Sequence, residues 1–160
     1  MVEIRAMRPE DWPAVAAIYG EGIATRGATF ETEAPSYESF DAGHHAEHRF
    51  VAVEDGRVVG WVALAPTSAR TCYAGVAASS VYIAESARGR GVGRALMEAT
   101  LASAESAGIW TIHAGMFPEN TASVALHESL GFRVVGRFER IAQLDRVWRD
   151  TVILELRLKS

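Results

Sequence analysis

The sequence predicts a mixed α/β protein in which helices cover both faces of one sheet. Two observations support this class: strand and helix patterns alternate along the chain, and no internal repeat or linker divides it. The chain has 160 residues, of which 49% are hydrophobic and 22% are charged. A chain of this length and composition forms one continuous core and is too short for two ordinary domains. We therefore expect residues 1–160 to form a single domain.

The first part of the chain predicts a strand, a helix and a second, short helix. Residues 2–7 alternate between apolar and polar side chains as a half-buried strand does, and Pro9 stands at a favoured first helical position. Apolar residues then recur at helical spacing as far as Ile23. Ser36 is placed to cap the second helix, on which Phe40 is the main apolar side chain.

The middle of the chain predicts three strands. Asp55 and Gly56 separate two apolar runs, residues 50–53 and 58–64, and this dipeptide is the strongest local signal for an antiparallel hairpin. Residues 73–83 form a third, long strand after a polar turn.

The last part of the chain alternates helices with strands. Residues 92–107 predict a helix that Gly108 terminates, and residues 109–114 predict a strand. Asn120 is a favoured cap for a helix that runs to Leu130. Two final strands are predicted at residues 132–138 and 148–158.

Charge and composition exclude several classes of function. The net charge of −4 argues against general nucleic-acid binding, which requires clustered cations. The longest uncharged stretch, residues 71–84, is shorter than the roughly 20 apolar residues of a membrane helix. The N-terminal residues are charged and do not resemble a signal peptide. The single cysteine, Cys72, predicts a small buried side chain in a reducing compartment, so we expect a cytoplasmic protein that does not bind membranes.

A glycine-rich turn before the helix at residues 92–107 is the strongest functional signal. Alternate glycines let a backbone approach a ligand with several N–H groups pointing outward, and a helix N-terminus favours an anion. Cations are normally disfavoured at that end of a helix, so the arginines of the turn indicate an anionic ligand, with a solvated surface turn as the alternative. The residues concerned are Arg88, Gly89, Arg90, Gly91, Gly93 and Arg94.

Two common phosphate-binding motifs do not match this turn. A P-loop requires a lysine directly after its glycines, and Lys159 is the first lysine of the chain. A dinucleotide fingerprint that starts at Gly89 requires a glycine where Arg94 stands, and one that starts at Gly91 requires it where Leu96 stands. Neither a nucleotide-hydrolysing P-loop nor a Rossmann site is therefore expected.

The turn resembles the first signature of the GCN5-related N-acetyltransferase (GNAT) superfamily, in which Arg/Gln-x-x-Gly-x-Gly/Ala matches residues 88–93. Residues 120–132 resemble the second signature, with an asparagine, a small residue three positions later and a final Gly-Phe. The resemblance covers nearly the whole chain, and within the superfamily it is similar to the phosphinothricin and methionine sulfoximine acetyltransferases. Four segments carry this narrower similarity: Thr29-Phe30-Glu31, Ser80-Val81-Tyr82-Ile83, residues 123–128 and Trp148-Arg149-Asp150.

The resemblance implies a sheet that is mostly antiparallel and is splayed between residues 80–83 and 109–114, with acetyl-CoA in the gap. The pantetheine would pair with residues 81–83 as an added strand does, and the pyrophosphate would lie on the N–H groups of residues 89–94. Asn120 would contact the pantetheine or the thioester, a role compatible with capping its helix. The implied cofactor-binding residues are Val81, Tyr82, Ile83, Arg88, Gly89, Arg90, Gly91, Val92, Gly93, Arg94, Asn120 and Ser123.

The resemblance also implies acetyl transfer to an amine without a covalent enzyme intermediate. His127 stands where many members carry a tyrosine near the sulfur, so it is a candidate general acid, with a structural histidine as the alternative. The resembled enzymes carry a glutamate base where this chain has Ala78 and a substrate-binding arginine where it has Ala74. Glu31 is the remaining candidate for the general base. Alternatively, Glu31 binds the acceptor amine, which is the role expected of Glu33. The expected substrate-binding residues are Phe30, Glu33, Tyr73, Ser80 and Trp148.

We thus expect an acetyl-CoA-dependent N-acetyltransferase acting on a small amine such as an amino acid or a toxic analogue of one. Two alternatives stay open: a CoA-binding module that has lost turnover, suggested by Ala78, and a peptide N-terminal acetyltransferase, which needs an open groove beside residues 27–35. A homodimer is expected, as in the resembled family. His44 and His48 would share one helix face, but no third ligand accompanies them, so no metal site is expected.

Overall fold

Strands and helices follow one another in the predicted order in the computed structural model, which describes residues 1–159. The strands are β1 (Glu3–Ala6), β2 (Arg49–Glu54), β3 (Arg57–Pro66), β4 (Val76–Ile83), β5 (Thr111–Met116), β6 (Arg133–Leu144) and β7 (Val147–Arg157). The helices are α1 (Trp12–Ala24), α2 (Tyr37–Gly43), α3 (Val92–Ser106) and α4 (Thr121–Ser129). All seven strands form one sheet in the order β1-β2-β3-β4-β5-β7-β6, which confirms the predicted mixed α/β class.

Helix ends coincide with the predicted caps. The Oδ1 atom of Asn120 accepts a hydrogen bond of 3.3 Å from the backbone N–H of Ser123 at the start of α4. Gly91 precedes α3 with a φ of +82°, and Gly108 and Gly131 follow α3 and α4 with φ values of +84° and +98°. These three positions require the left-handed backbone that glycine adopts without a steric penalty.

The sheet is splayed between β4 and β5, as the resemblance implies. The two strands run parallel and pair at three positions, Val76 with Thr111, Ala77 with Ile112 and Ala78 with His113. Beyond these pairs, β4 remains paired with β3 and β5 with β7, so the two strands diverge towards their C-terminal ends. The result is a V-shaped gap, and the Ala78–His113 pair lies at its apex.

Opposite faces of the sheet carry different helices. Trp61 of β3 stacks on Tyr82 of β4 at 5.0 Å between ring centroids, and Tyr19 of α1 packs on both rings. On the other face, a Cβ atom added at Gly60 would lie 3.1 Å from Leu96 of α3. We call these the α1 face and the α3 face. Because side chains alternate along a strand, the α1 face carries Ala78, Ser80 and Tyr82, and the α3 face carries Ala77, Ser79, Val81 and Ile83.

The core fills the space between the helices and the central strands. Its largest fully buried side chains include Trp61 and Phe40 on the side of α1 and α2, and Leu96 and Met97 on α3. The backbone of Gly75 lies close to the ring of Trp110, and a Cβ atom at this position would collide with that ring. This contact explains why the position is a glycine. Burial of large apolar side chains is the main contribution to the stability of such a sheet.

Two predictions about strand ends were wrong. The final hairpin is longer than expected, since β6 continues past residue 138 and turns at Asp145 and Arg146, whose φ values are +52° and +67°. Neither is the glycine or asparagine that normally marks such a turn. Strand β4 begins at Val76 and not at Tyr73, because residues 71–73 form a helical turn in which the N–H of Ala74 donates to the carbonyl of Thr71. Cys72, expected to be buried, is exposed on this turn.

Candidate active site

A groove of about 630 Å³ lies against the free end of β4. It is bounded by the end of α1 with the loop that follows, by the glycine-rich turn, and by the N-terminal ends of α3 and α4. Its lining residues are Gly22, Thr25, Gly27, Ala28, Val81, Tyr82, Ile83, Ala87, Arg88, Gly89, Gly91, Val92, Gly93, Arg94, Glu119, Asn120, Ala122, Ser123 and Leu126. The structure therefore brings together most of the predicted cofactor-binding residues.

The glycine-rich turn has the backbone conformation expected of an anion-binding cradle. Gly89 and Gly91 have φ values of +76° and +82°, and no heavy atom lies within 4 Å of a Cβ atom added at either position. Backbone conformation, and not lack of space, therefore requires these two glycines. Gly93 serves packing instead, since its Cβ atom would lie 3.3 Å from Leu126 of α4. The first N–H groups of a helix have no partner within that helix, so those of α3 can donate into the groove.

The three arginines of the turn have different environments. Arg88 and Arg94 line the groove, and Nη1 of Arg94 donates to the hydroxyl of Ser129 at 2.9 Å. Arg90 instead makes two hydrogen bonds of 2.8 and 2.9 Å to the carboxylate of Glu54, and its side chain does not line the groove. The same contact lowers the pKa of Glu54. Only the backbone of Arg90 is therefore placed to bind a ligand in the groove.

The free part of β4 offers a polar edge. Beyond Ala78, no strand among the described residues pairs with β4 on the side of the gap. Such an edge presents N–H and C=O groups that an extended ligand can pair with. The hydroxyl of Ser79 is also buried and has no hydrogen-bond partner within residues 1–159. Sequence analysis missed Ser79, because a serine in a strand gives no signal of its own that its hydroxyl is left unpaired.

Asn120 connects the two sides of the groove. Besides capping α4, its Nδ2 atom donates to the carbonyl of Gly27 at 3.5 Å, in the loop that follows α1. Asn120 and Ser123 both line the groove, so capping and ligand contact are compatible, as expected. Their contact with a cofactor stays a prediction.

His127 lies outside the groove and is only 3% exposed. Its Nδ1 atom donates to the carbonyl of Ser123 at 2.7 Å, because a carbonyl oxygen can only accept. Its ring packs against the edge of Phe132, and burial lowers its pKa. A neutral imidazole that carries its proton on Nδ1 has none on Nε2 to donate. The predicted role of His127 as an acid stays a prediction, and these contacts are those of the structural alternative.

None of the residues predicted to bind substrate is among those that line the groove. Phe30 packs edge-on against Phe117 at 4.9 Å, in the loop between α1 and α2 that also carries the exposed Glu31 and Glu33. Burial raises the pKa of Tyr19, and the charge of Glu31 adds to this effect. Ser80 lies on the α1 face of the sheet.

Two further predicted substrate residues are exposed aromatic side chains. Tyr73, in the turn before β4, is 46% exposed, and the guanidinium of Arg70 lies 5.6 Å from its ring centroid. Trp148, at the start of β7, is 49% exposed and lies near Arg140. No described contact joins Tyr73 or Trp148 to the groove, so their roles stay predictions.

The histidines near α2 have structural partners. Nδ1 of His44 donates to the carbonyl of Phe40 at 2.7 Å, and His48 is hydrogen bonded to the hydroxyl of Ser103 on α3. Within residues 1–159, no group of three or more histidine, cysteine or acidic side chains is placed to hold a metal ion. Over the same residues, no helix has the length and apolarity needed to cross a membrane.

Comparisons with known proteins agree with this geometry. The sequence profile of the acetyltransferase (GNAT) family matches residues 4–132. The phosphinothricin N-acetyltransferase of Alcaligenes faecalis is 31% identical over 98% of this chain and 83% of its own length. An L-methionine sulfoximine/L-methionine sulfone acetyltransferase of Pseudomonas paraeruginosa is 26% identical over 97% and 94%. The crystal structure of a phosphinothricin acetyltransferase from Sinorhizobium meliloti in complex with acetyl-CoA matches with a TM-score of 0.88 and 25% identity, over 98% of this chain and 88% of that one.

The groove of this chain has the chemistry that acetyl-CoA requires. Left-handed glycines at residues 89 and 91 open the N-terminal end of α3 to a pyrophosphate, and Arg88 and Arg94 add positive charge beside it. The unpaired edge of β4 suits the amides of a pantetheine arm. The unpartnered hydroxyl of Ser79 lies further along this strand, close to the apex of the gap. These features fit an extended molecule with a charged end and a polar arm.

Proposed function

The chain belongs to the acetyltransferase (GNAT) family, and from this premise we propose that its acceptor is the amino group of a small, amino-acid-like molecule. It is an N-acetyltransferase that uses acetyl-CoA. Similarity along nearly the whole chain to a phosphinothricin N-acetyltransferase and to an L-methionine sulfoximine/L-methionine sulfone acetyltransferase carries the proposal, and the groove beside the free end of β4 is its site.

Acetyl-CoA supplies the acetyl group as a thioester when it is bound in this groove. We assign its pyrophosphate to the backbone of residues 89–94, with Arg88 and Arg94 as cations beside it. The free edge of β4 at residues 81–83 would pair with the pantetheine, and Asn120 and Ser123 would close the groove from α4. Residues 1–160 would work as one acetyltransferase domain in this arrangement.

The acceptor would approach from the loop between α1 and α2. Glu31 and Glu33 are exposed carboxylates on this loop, and they attract the ammonium group of an amine before it loses its proton. Phe30 and Tyr73 offer apolar surface for the rest of the molecule, with Ser80 on the sheet beneath. Because Ala74 replaces the arginine that the resembled enzymes use, we expect a weaker requirement for an acidic side chain on the acceptor.

The β6–β7 hairpin supports a homodimer. It exposes large apolar side chains at the edge of the sheet, and contiguous exposed apolar surface marks an interaction site. The side chains concerned are Val134, Val135, Phe138, Ile141, Val147 and Trp148. A second copy of the chain is the proposed occupant, and a reducing cytoplasm suits the exposed, unpaired Cys72.

Release of free thiol from acetyl-CoA tests the proposal directly. The acceptor panel contains L-methionine, L-methionine sulfoximine, phosphinothricin, spermidine and a short peptide with a free N-terminus. We expect the highest kcat/KM with an amino acid or its analogue. Turnover with the peptide alone would favour N-terminal acetylation of proteins. CoA binding by calorimetry without thiol release from any acceptor would instead favour a binding module.

A further inference from the structure

A histidine that the reaction has not yet used lies at the apex of the splayed sheet. We propose that His113, oriented by Glu155, takes the proton from the acceptor amine on the α1 face. The proposal rests on the proposed function, because it concerns the same acetyl transfer, and it names the proton acceptor that the reaction needs. The proposal is based on the position of His113, which lies beside Ala78 at the last position where β4 and β5 pair.

The register of the sheet fixes the side on which His113 lies. His113 pairs with Ala78, and side chains in register on neighbouring strands point to the same face. Ala78 shares the α1 face with Ser80 and Tyr82. His113 therefore belongs to the α1 face, and the small methyl group of Ala78 leaves space beside its ring.

Only the α1 face is open at the apex. On the α3 face, Ala77 and Ile112 form the neighbouring pair, and both are fully buried. On the α1 face, the His113 side chain is 40% exposed. A pantetheine arm paired with β4 from the glycine-rich turn onwards would end near this apex, where an acceptor would reach its thioester from the side of His113.

Glu155 is placed to hold the imidazole. It lies opposite His113 in the register of β5 and β7, and Nε2 of His113 is 3.7 Å from Oε2 of Glu155. The other carboxylate oxygen is 2.7 Å from Nη2 of Arg133 on β6, which fixes the carboxylate. With one oxygen held by Arg133, Glu155 keeps its other oxygen towards Nε2 and so limits the orientation of the imidazole ring. On β7, Arg157 and, further along the strand, Arg149 are the other charged side chains of this face, whereas β4 contributes none.

The other titratable groups near the site are less suited to this role. His127 is buried, with its Nδ1 proton donated to a backbone carbonyl. Tyr82 is stacked on Trp61, and burial raises its pKa, so it keeps its proton at neutral pH. Glu31 is exposed on a loop and not on the sheet. His113 combines an exposed imidazole with a rigid position at the apex.

The proposed step conserves protons and electrons. The acceptor ammonium gives one proton to the imidazole of His113, directly or through one water, and His113 passes it to solvent. The lone pair of the amine then forms the C–N bond to the acetyl carbon, and the C–S bond breaks with its electron pair on sulfur. A second proton leaves the nitrogen for the sulfur, which gives the amide, the free thiol and one proton in solution.

The pH dependence of kcat/KM in the variant His113→Gln tests the proposal. The assay uses acetyl-CoA with whichever panel amine the unaltered protein turns over best. We expect kcat/KM at about pH 7 to fall about 100-fold, within the range for general-base catalysis, and the loss to shrink at higher pH as the free amine becomes neutral. Added imidazole should restore part of the rate in His113→Ala. Glu155→Gln should lose about tenfold, since it loosens the orientation of the imidazole without removing the base.

Three controls separate the possible failures. CoA binding by calorimetry should be unchanged in His113→Gln, which shows that the variant folds. His45→Gln removes an imidazole away from the site and should keep the unaltered pH profile. If the unaltered protein acetylates none of the panel amines, the proposed function itself fails. If His113→Gln leaves the pH dependence of kcat/KM unchanged, or if only Glu31→Gln alters it, the proposed role of His113 is overturned.

Discussion

Strands β3 and β6 both begin with the sequence Arg-Val-Val-Gly, at residues 57–60 and 133–136, and have opposite environments. Residues 59–64 of β3 are buried without interruption, because α1 packs on one face and α3 on the other. In β6, Leu144 alone is buried, and Val134, Phe138 and Ile141 are about half exposed. Apolar side chains alone therefore do not decide where a core forms. Helices cover the half of the sheet that stabilises the fold, and they leave open the half that can meet a partner.

The largest expected effect contrasts two tryptophans from these halves. Trp61 is fully buried between Phe40, Tyr19 and Tyr82, whereas Trp148 on the hairpin is 49% exposed. We expect Trp61→Ala to reduce the free energy of unfolding by about 3–5 kcal/mol, because it leaves a large cavity. Trp148→Ala should change it by about 0.5 kcal/mol or less in the separated chain. Urea denaturation measures both, and equal losses would contradict the contrast.

The next largest expected effect compares a glycine beside the groove with a glycine on the exposed strand β6. Gly91 adopts a φ of +82° beside the groove, whereas Gly136 on β6 has open space and no left-handed backbone. Gly91→Ala forces a side chain into a disfavoured conformation, which costs about 1–2 kcal/mol and tilts the N–H groups of the cradle. We expect affinity for CoA to fall at least about tenfold, the equivalent of about 1.4 kcal/mol.

Gly136→Ala is the matched control for this change. It adds the same methyl group at a position with nothing within 4 Å. Calorimetric titration with CoA should give the affinity of the unaltered chain. A similar loss of affinity in both variants would mean that the left-handed cradle does not bind the cofactor.

A smaller effect is expected when charges are placed on the β6–β7 half of the sheet, through which we expect the chain to self-associate. Phe138→Asp and Ile141→Asp each place a charge among the exposed apolar side chains of β6. Burying an unpaired charge in an interface is unfavourable, so the dimer should dissociate at micromolar protein concentration. Sedimentation equilibrium measures the mass. Ala42→Asp adds the same charge on the exposed side of α2 and should leave the dimer intact. A monomeric unaltered chain would contradict the proposed dimer.

Sequence patterns predicted the elements well because apolar periodicity, caps and Asp55-Gly56 are local signals. They also located the cradle, since Gly89 and Gly91 stand where the backbone is left-handed. Contacts between distant segments were not predictable in this way. Arg90 was expected in the groove, yet it pairs with Glu54, 36 residues earlier in the chain.

The same limit explains other features of the structure that the sequence did not predict. His127 has the sequence position of a site residue, but a backbone carbonyl one helical turn earlier holds its proton. The turn at Asp145 and Arg146 escaped prediction because these residues rarely take up positive φ. The proposed role of His113 depends on the strand register, which places it beside Ala78. Which strands pair, and where they part, is a tertiary property that no short motif records.

The smallest effect compares two aspartates as the pH falls. Asp11, at the covered end of the sheet, accepts hydrogen bonds from Arg5 at 2.8 and 2.9 Å, and these lower its pKa. Stability from a lowered pKa is present above the unfolded value of about 3.9 and is lost as pH falls through the folded value. Asp11→Asn should therefore cost about 1 kcal/mol at neutral pH and flatten the acid limb of the denaturation profile. Asp150, on the exposed hairpin, also has a pKa lowered by hydrogen bonds from the N–H of Arg140 and from the side chain of Arg137, but solvent screens these contacts, so Asp150→Asn should have the smaller effect. An equal or larger loss in Asp150→Asn would mean that burial does not set the strength of these pairs.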